Sequence, residues 1–307
     1  MDNNVVELTD LEMHFGDVKA LKEINLTLPS GEVLGLFGHN GAGKTTMMKL
    51  ILGVLNPTHG SISVMGSAPM SQSAAKIRQR IGYLPENVSF YQHLTGLEVL
   101  NFFARLKGVK KSVAIELLEE LGLAHAMNRA VKTYSKGMKQ RLGLAQATLT
   151  PPKLLILDEP TVGLDPVATQ DFYVQVDKLK KEGCTVILCS HVLPGVEQHI
   201  DKAMILANGR TQAFGTLDEL RSSAALPTHI TAKGLNGALH ANETLRPYLT
   251  GPDRLVVENE QKISVIRQLA AHPALEDMVI TPPTLEQLYQ FYMPAENNHP
   301  SVEEESQ

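Results

Sequence analysis

The stretch "GHNGAGKTT", residues 38–46, constrains what this chain can fold into more than any other segment. Gly38, Gly43, Lys44 and Thr45 fit the spacing G-x-x-x-x-G-K-[ST]. In that pattern, bare backbone N–H groups and the N-terminus of a helix surround phosphate oxygens. We therefore expect a nucleoside triphosphate here, with Lys44 bridging the β- and γ-phosphates and the Thr45 hydroxyl holding Mg²⁺.

The segments on either side of this loop supply the context that the pattern requires. The short apolar stretch "VLGLF" (residues 33–37) precedes it and is typical of a buried strand, and an apolar helical pattern follows it. The whole loop is therefore expected to line the phosphates, through Gly38, His39, Asn40, Gly41, Ala42, Gly43, Lys44, Thr45 and Thr46.

A second apolar stretch, "LLILDEPTVGLDP", ends in two adjacent carboxylates. Carboxylates at the C-terminal end of a parallel strand lie where open α/β sheets bind ligands. Two carboxylates at the end of a strand, taken alone, usually mark only a polar strand end without a function. Beside a phosphate loop, we expect Asp158 to hold Mg²⁺ and Glu159 to act as general base on the attacking water.

A third apolar stretch, "ILCSHVL", ends in Ser190 and His191. A single histidine at a strand end is more often structural. Because this strand is the next candidate after the one that carries Asp158 and Glu159, His191 is expected to contact the γ-phosphate.

Strand-like and helical stretches alternate along the chain, which predicts an α/β fold with a mostly parallel sheet. The predicted domains are residues 1–220, with a helical insert at about 90–150, and a small α+β domain at 221–294. An acidic tail follows at 295–307. In the small domain one helix carries Ile263, Ile266 and Leu269 at helical spacing. In another helix, Thr284 and Gln287 are expected to form a capping box. The apolar face of that helix consists of Leu285, Leu288, Tyr289 and Tyr292.

Composition excludes several classes of protein. A net charge of −5 gives no basis for nucleic-acid binding, and two cysteines rule out a disulfide framework and fit a reducing compartment. The first residues lack the pattern of a signal peptide, and no apolar run reaches the length of a membrane helix. We therefore expect a cytoplasmic protein that reaches a membrane only through a partner.

The stretch "YSKGMKQR", residues 134–141, resembles the signature motif of the ATP-binding subunits of ATP-binding-cassette (ABC) transporters. The segment "GYLPENVSFY" resembles the Q-loop of that family, "GLDP" its D-loop, and His191 its switch histidine. The resemblance covers about residues 4–220. It implies a P-loop NTPase cassette that has an N-terminal antiparallel β subdomain and a helical insert.

The same resemblance implies further contacts with ATP and Mg²⁺. Phe15 is expected to stack on adenine, while Ser135 and Gly137 of a second copy hold the γ-phosphate. Asp165 belongs to the D-loop, and Glu86 is expected to ligate Mg²⁺. Glu86 stands where the family has glutamine, and the signature departs from the family pattern at Lys136 and Met138.

The resemblance also implies partners: a second copy of the chain and a polytopic membrane permease that holds it peripherally on the inner membrane. Several short stretches, among them "YLPENVSFY", "FARLKG" and "VKTYSKGM", resemble the ATPase subunits of transporters that mature the copper sites of nitrous oxide reductase. That group implies a periplasmic copper-handling protein as well. ATPases of drug or polysaccharide exporters, soluble non-transport ABC ATPases and ATP-binding modules without turnover are the alternatives.

Copper binding by the chain itself is not expected. The histidines His14, His39 and His59 are scattered along the sequence. Cys184 and Cys189 lie on one predicted strand at a spacing that points them to opposite faces.

Overall fold

The structure is a computed structural model that describes residues 4–71, 74–235 and 238–293. It divides into two compact units, Met1–Phe214 and the part from Gly215 onward. The sequence-based boundary at residue 220 therefore differs from the observed one, because the helix that begins at Leu217 packs with the second unit. The expected acidic tail at 295–307 lies outside the described residues.

The first unit contains the strands and helices that carry the predicted motifs. In chain order they are β1 (Asn4–Phe15), β2 (Val18–Pro29), β3 (Val33–Phe37), α1 (Lys44–Ile51), β4 (His59–Val64), α2 (Ala74–Arg78), β5 (Ile81–Leu84), α3 (Gly96–Lys107), α4 (Lys111–Glu120), α5 (Lys136–Thr148), β6 (Leu154–Asp158), α6 (Pro166–Lys181), β7 (Thr185–Cys189), β8 (Lys202–Ala207) and β9 (Arg210–Gly215).

Two sheets form this unit within the described residues. The larger has the strand order β5-β6-β7-β3-β8-β9, and its pairs β5/β6, β6/β7, β7/β3 and β3/β8 are parallel. The smaller is antiparallel, in the order β2-β1-β4. Every residue of β3 and β7 is buried, as expected for strands covered on both faces. The predicted α/β cassette with an antiparallel subdomain is confirmed.

The predicted helical insert consists of α3, α4 and α5, which pack against one another. Thr95 and Glu98 form a capping box at the start of α3, and Gly108 ends the helix in the left-handed conformation. The buried side chain of Gln140 on α5 donates from Nε2 to the carbonyl of Pro160 at 3.0 Å. This bond links the helix of the signature motif to the loop that follows Asp158.

The second unit is a small α+β fold built from α7 (Leu217–Ala224), β10 (Thr228–Lys233), α8 (Ala238–Ala241), β11 (Arg254–Val257), α9 (Lys262–Ala270), β12 (Asp277–Thr281) and α10 (Leu285–Tyr292). Its sheet has the order β11-β10-β12, with antiparallel pairs. Thr284 and Gln287 form the predicted capping box of α10.

The predicted helical spacing of Ile263, Ile266 and Leu269 falls on α9, but only part of that face is buried. Ile263 does not join a buried face of α9, since its side chain is 56% exposed. The helix instead buries Val265 and Leu269, with Ile266 partly covered beside them. An apolar residue at the first turn of a helix fits a helical repeat whether or not another element covers it, so spacing alone does not distinguish the two cases.

Of the helices within the described ranges, none combines the length and the apolar character that crossing a bilayer requires.

The bond between Gln140 and Pro160 makes a stability prediction. Gln140→Met keeps the shape of the side chain but removes the donor, which leaves a carbonyl without its buried partner. We expect a loss of about 1–3 kcal/mol in the free energy of unfolding, measured by urea denaturation. Gln79→Met changes an exposed side chain and should leave the midpoint unchanged. Equal midpoints for the two variants would contradict this role of Gln140.

Candidate functional site

The ends of four neighbouring parallel strands bring the predicted groups to one edge of the large sheet. β3 leads into the phosphate loop, β5 leads to Glu86, β6 ends at Asp158, and β7 leads to His191. Parallel strands place their C-terminal ends at the same edge, where open α/β sheets bind ligands. The cleft at this edge is lined by Ala20, His39, Asn40, Gly41, Ala42, Gly43, Lys44, Thr45, Thr46, Glu86, Asp158 and Glu159.

Two glycines of the loop are required by its geometry. A Cβ on Gly38 would lie 2.5 Å from the carbonyl oxygen of Leu206 on β8, so the backbone must pass there without a side chain. Gly43 has a φ of +110°, and a Cβ there would lie 2.6 Å from Leu21. The loop thus enters α1 with its backbone bare, as a phosphate-binding loop requires.

Lys44 lies at the first position of α1 and is 8% exposed. Its ammonium donates to the carbonyl of Gly38 and to the carbonyl of His39, the latter at 3.2 Å. These bonds hold the positive charge over the loop. The Thr45 side chain is exposed and lines the same cleft.

Asp158 lies in an unfavourable environment for a carboxylate. Burial is the largest influence and raises the pKa of Asp158, and the charges of Glu159 and Glu86 raise it further. Lys44 and a hydrogen bond from Tyr83 lower this pKa by smaller amounts. A divalent cation would relieve this repulsion. Asp158, Glu86 and Thr45 offer oxygen donors, the type that Mg²⁺ prefers, so the residues present fit that ion.

Glu159 and His191 are hydrogen-bonded to each other. The Glu159 carboxylate accepts the His191 backbone N–H at 3.1 Å and lies 2.9 Å from Nδ1 of the ring. Glu159 is buried and has a φ of +47°, a left-handed conformation that costs a residue with a side chain about 1–2 kcal/mol. Its own N–H donates to the carbonyl of Cys189 at 3.0 Å, which holds this conformation in place.

The signature residues lie elsewhere on the first unit. Ser135 is the N-cap of α5, and its hydroxyl accepts the Met138 N–H at 3.2 Å. A Cβ on Gly163 would come 2.6 Å from Lys136 Nζ, so this lysine lies over the D-loop. The pocket here is lined by Ser135, Lys136, Gly137, Met138, Arg141, Gly163, Leu164, Asp165 and Ala168. We call the cleft at the edge of the large sheet, which contains Lys44 and Asp158, the nucleotide cleft. Among the described residues, its lining and the lining of the signature pocket around Ser135 have no residue in common.

Phe15, expected to stack on adenine, lies at the end of β1 with 49% of its surface exposed and outside the lining of the nucleotide cleft. Ala20 of β2 lines the cleft instead, and no sequence motif singles it out. Sequence reasoning also missed Tyr83, which bonds to Asp158, and Gln140, which bonds to the Pro160 carbonyl. A polar residue inside the apolar strand "IGYL" is the signal that could have identified Tyr83.

Comparisons with known proteins agree with this geometry. The sequence profile of the family described as "ABC transporter" matches residues 21–162. The chain is 38% identical over 241 residues to the ABC transporter ATP-binding protein YdbJ of Bacillus subtilis, which covers 77% of this chain and 78% of that protein. The chain belongs to the ATP-binding proteins of ABC transporters. It is therefore an ATPase.

Other relatives in this family carry more specific names. The bacitracin transport ATP-binding protein BcrA of Bacillus licheniformis is 39% identical over 71% of this chain and 72% of its own length. Among solved structures, an ATP-binding subunit of an ABC transporter superposes with a TM-score of 0.65 at 33% identity. The superposition covers 71% of this chain and 92% of that structure. ABC ATP-binding subunits bind ATP with Mg²⁺, pair with each other and work with membrane permeases.

The hydrogen bond from Tyr83 to Asp158 predicts a change in pH dependence. The bond lowers the pKa of Asp158, so Tyr83→Phe raises that pKa. The carboxylate then takes up a proton at a higher pH, and its ability to ligate Mg²⁺ is lost earlier as the pH falls. We expect the acid limb of the Mg²⁺-dependent ATPase rate to move to higher pH. Tyr248→Phe, in the second unit, is the matched control, and identical profiles for both variants would reject this role of Tyr83.

Proposed function

We propose that two copies of this chain enclose two ATP molecules, so that the nucleotide cleft of each copy is completed by the signature residues of the other. The separation between these two groups of residues carries the proposal. The cleft holds Lys44, Asp158 and Glu159, while Ser135 and Gly137 line a different pocket of the same chain. Ser135 is exposed at the N-terminus of a helix, which is a favourable position for binding a phosphate.

Each group in the completed site then has a task. Lys44 holds the β- and γ-phosphates, and Thr45, Asp158 and Glu86 ligate Mg²⁺. The ion neutralises charge on the phosphate oxygens when it is bound. Glu159 accepts the proton of the attacking water, as a general base that accelerates the reaction by about 10²–10⁴-fold.

The remaining predicted residues bind the nucleotide around this centre. His191 is hydrogen-bonded to Glu159 and contacts the γ-phosphate. It therefore links the presence of that phosphate to the position of the general base. Ser135 and Gly137 of the second copy hold the same phosphate, with Asp165 beside them in the D-loop. Phe15, which is exposed and lies outside the cleft lining, is proposed to stack on the adenine beyond the phosphates.

A groove that follows Glu86 supports docking on a membrane permease. The aromatic side chains of Tyr91 and Phe102 are 76% and 42% exposed. Exposed apolar patches of this kind mark protein interaction sites. The groove follows Glu86 in the chain and reaches α3 of the helical insert. Its lining consists of Ser89, Phe90, Tyr91, Leu94, Val99, Phe102 and Phe103.

The composite site predicts the behaviour of Glu159→Gln. The amide keeps the shape of the side chain but cannot accept the proton, so the ATPase rate should fall by about 10²–10⁴-fold while ATP still binds. The variant should accumulate as a dimer with Mg-ATP, visible by size-exclusion chromatography.

The control combines Glu159→Gln with Ser135→Arg, which blocks the contact supplied by the second copy. No ATP-dependent dimer should form in the double variant. A dimer that persists there would contradict sharing of the site, and near-normal hydrolysis by Glu159→Gln alone would reject Glu159 as the base.

For the transport system served by this ATPase, the proposal is maturation of the copper sites of nitrous oxide reductase, with a permease and a periplasmic copper-handling protein as partners. It rests on the likeness of short stretches such as "YLPENVSFY" and "VKTYSKGM" to that group. The second candidate is an exporter of peptide antibiotics or similar compounds, favoured by relatives named for bacitracin transport.

Deletion of the gene in a denitrifying host separates these candidates. We expect nitrous oxide reductase to be made and exported without its catalytic copper site, which metal analysis and activity of the purified enzyme would reveal. The wild-type gene should restore the site, and the Glu159→Gln allele should not, because the transporter needs hydrolysis. Fully metallated, active reductase in the deletion strain would reject the copper assignment and leave the exporter.

A further inference from the structure

Three potential metal ligands meet on the antiparallel subdomain, apart from the nucleotide cleft. Glu12 and His14 lie near the end of β1, and His59 begins β4. His14 and His59 are far apart in the sequence but meet in the sheet, because Glu12 and His59 are direct partners in the antiparallel register. The imidazole rings of His14 and His59 have centroids 5.6 Å apart. Sequence spacing could not reveal this, since β1 and β4 meet only through the sheet.

The ligand atoms of these residues converge. One carboxylate oxygen of Glu12 lies 2.9 Å from Nε2 of His14 and 3.8 Å from Nδ1 of His59. All three side chains offer ligand atoms within 4.8 Å of one another. In a tetrahedral site with metal–ligand bonds of about 2.0–2.1 Å, the ligand atoms are about 3.3 Å apart. Small side-chain rotations would therefore bring the three groups onto one ion.

The backbone under these ligands is held by hydrogen bonds between the two segments. Thr58, which directly precedes His59, donates its N–H to the carbonyl of Glu12 at 2.9 Å. Its hydroxyl oxygen accepts the backbone N–H of His14, also at 2.9 Å. Ligands on hydrogen-bonded strands are more accurately positioned than ligands on loops.

The exposure of the three side chains fits an ion that enters from solvent. Glu12 and His14 are 21% and 20% exposed, whereas His59 is 67% exposed. The two inner ligands are thus shielded, and the outer one can close over an ion while water completes the coordination.

We propose that Glu12, His14 and His59 form a binding site for a first-row divalent transition metal of the Zn²⁺, Cu²⁺ and Ni²⁺ group. Two imidazoles and one carboxylate suit these ions, whereas Mg²⁺ takes oxygen ligands. The chemistry of the donors therefore distinguishes this site from the Mg²⁺ ligands of the nucleotide cleft.

Calorimetric titration of the full-length, chelator-treated protein with Zn²⁺ tests the site, in buffer with excess Mg²⁺ and without nucleotide. Wild type should bind one Zn²⁺ per chain in the tightest step. His14→Ala and His59→Ala should each weaken that step by more than about tenfold, the loss caused by removing even an outer hydrogen-bond partner of a metal ligand. His125→Ala, which removes an exposed histidine from the helical insert, should bind as wild type does.

Thermal unfolding provides a second readout, because an ion that binds only the folded chain raises its melting temperature. Zn²⁺ should raise it for wild type and His125→Ala but not for His59→Ala, whose exposed side chain can be removed without disturbing the core. Wild-type affinity in His59→Ala, loss of binding in His125→Ala to the same extent, or no saturable step in wild type would each overturn the proposal. If His14→Ala does not fold, His59→Ala decides the matter.

Discussion

The parallel pairing of β6, β7 and β3 is the constraint on which the nucleotide cleft depends. Leu154 to Asp158 pair in register with Thr185 to Cys189, and β7 pairs in turn with β3. The ends of the three strands therefore lie side by side, and each delivers its polar residues to the same edge. A slip by one residue would separate these polar ends along the edge, because each lies at or directly after the last residue of its strand.

Close packing of carboxylates at this edge favours the binding of a cation. Three carboxylates, Glu86, Asp158 and Glu159, line the cleft opposite a buried lysine. Burial and mutual repulsion raise the pKa of Asp158, so the ionised form is costly until a cation arrives. Glu86, which replaces the glutamine of the family pattern, adds to that cost. A cation bound here would therefore relieve more repulsion than it would beside a neutral amide.

Local patterns predicted the parts of the structure whose chemistry lies within a short stretch of chain. The phosphate loop around Lys44 and the capping box at Thr284 were predicted because their contacts join residues only a few positions apart. Tyr83, Gln140 and the cluster of His14 with His59 were not, because their partners are distant in sequence and meet only through sheet pairing or helix packing. Ile263 shows the same limit, since helical spacing does not reveal what covers a helix.

Within the described residues, the nucleotide cleft and the pocket around Ser135 share no lining residue. This has a kinetic consequence if two copies complete each site as proposed. An active centre assembled from two chains forms by collision, so the rate per chain of a dilute solution should rise in proportion to protein concentration. A permease that binds two copies replaces this dependence with a fixed effective concentration, in the millimolar range for short connections. Membrane attachment would thereby make turnover independent of how much of the ATPase the cell contains.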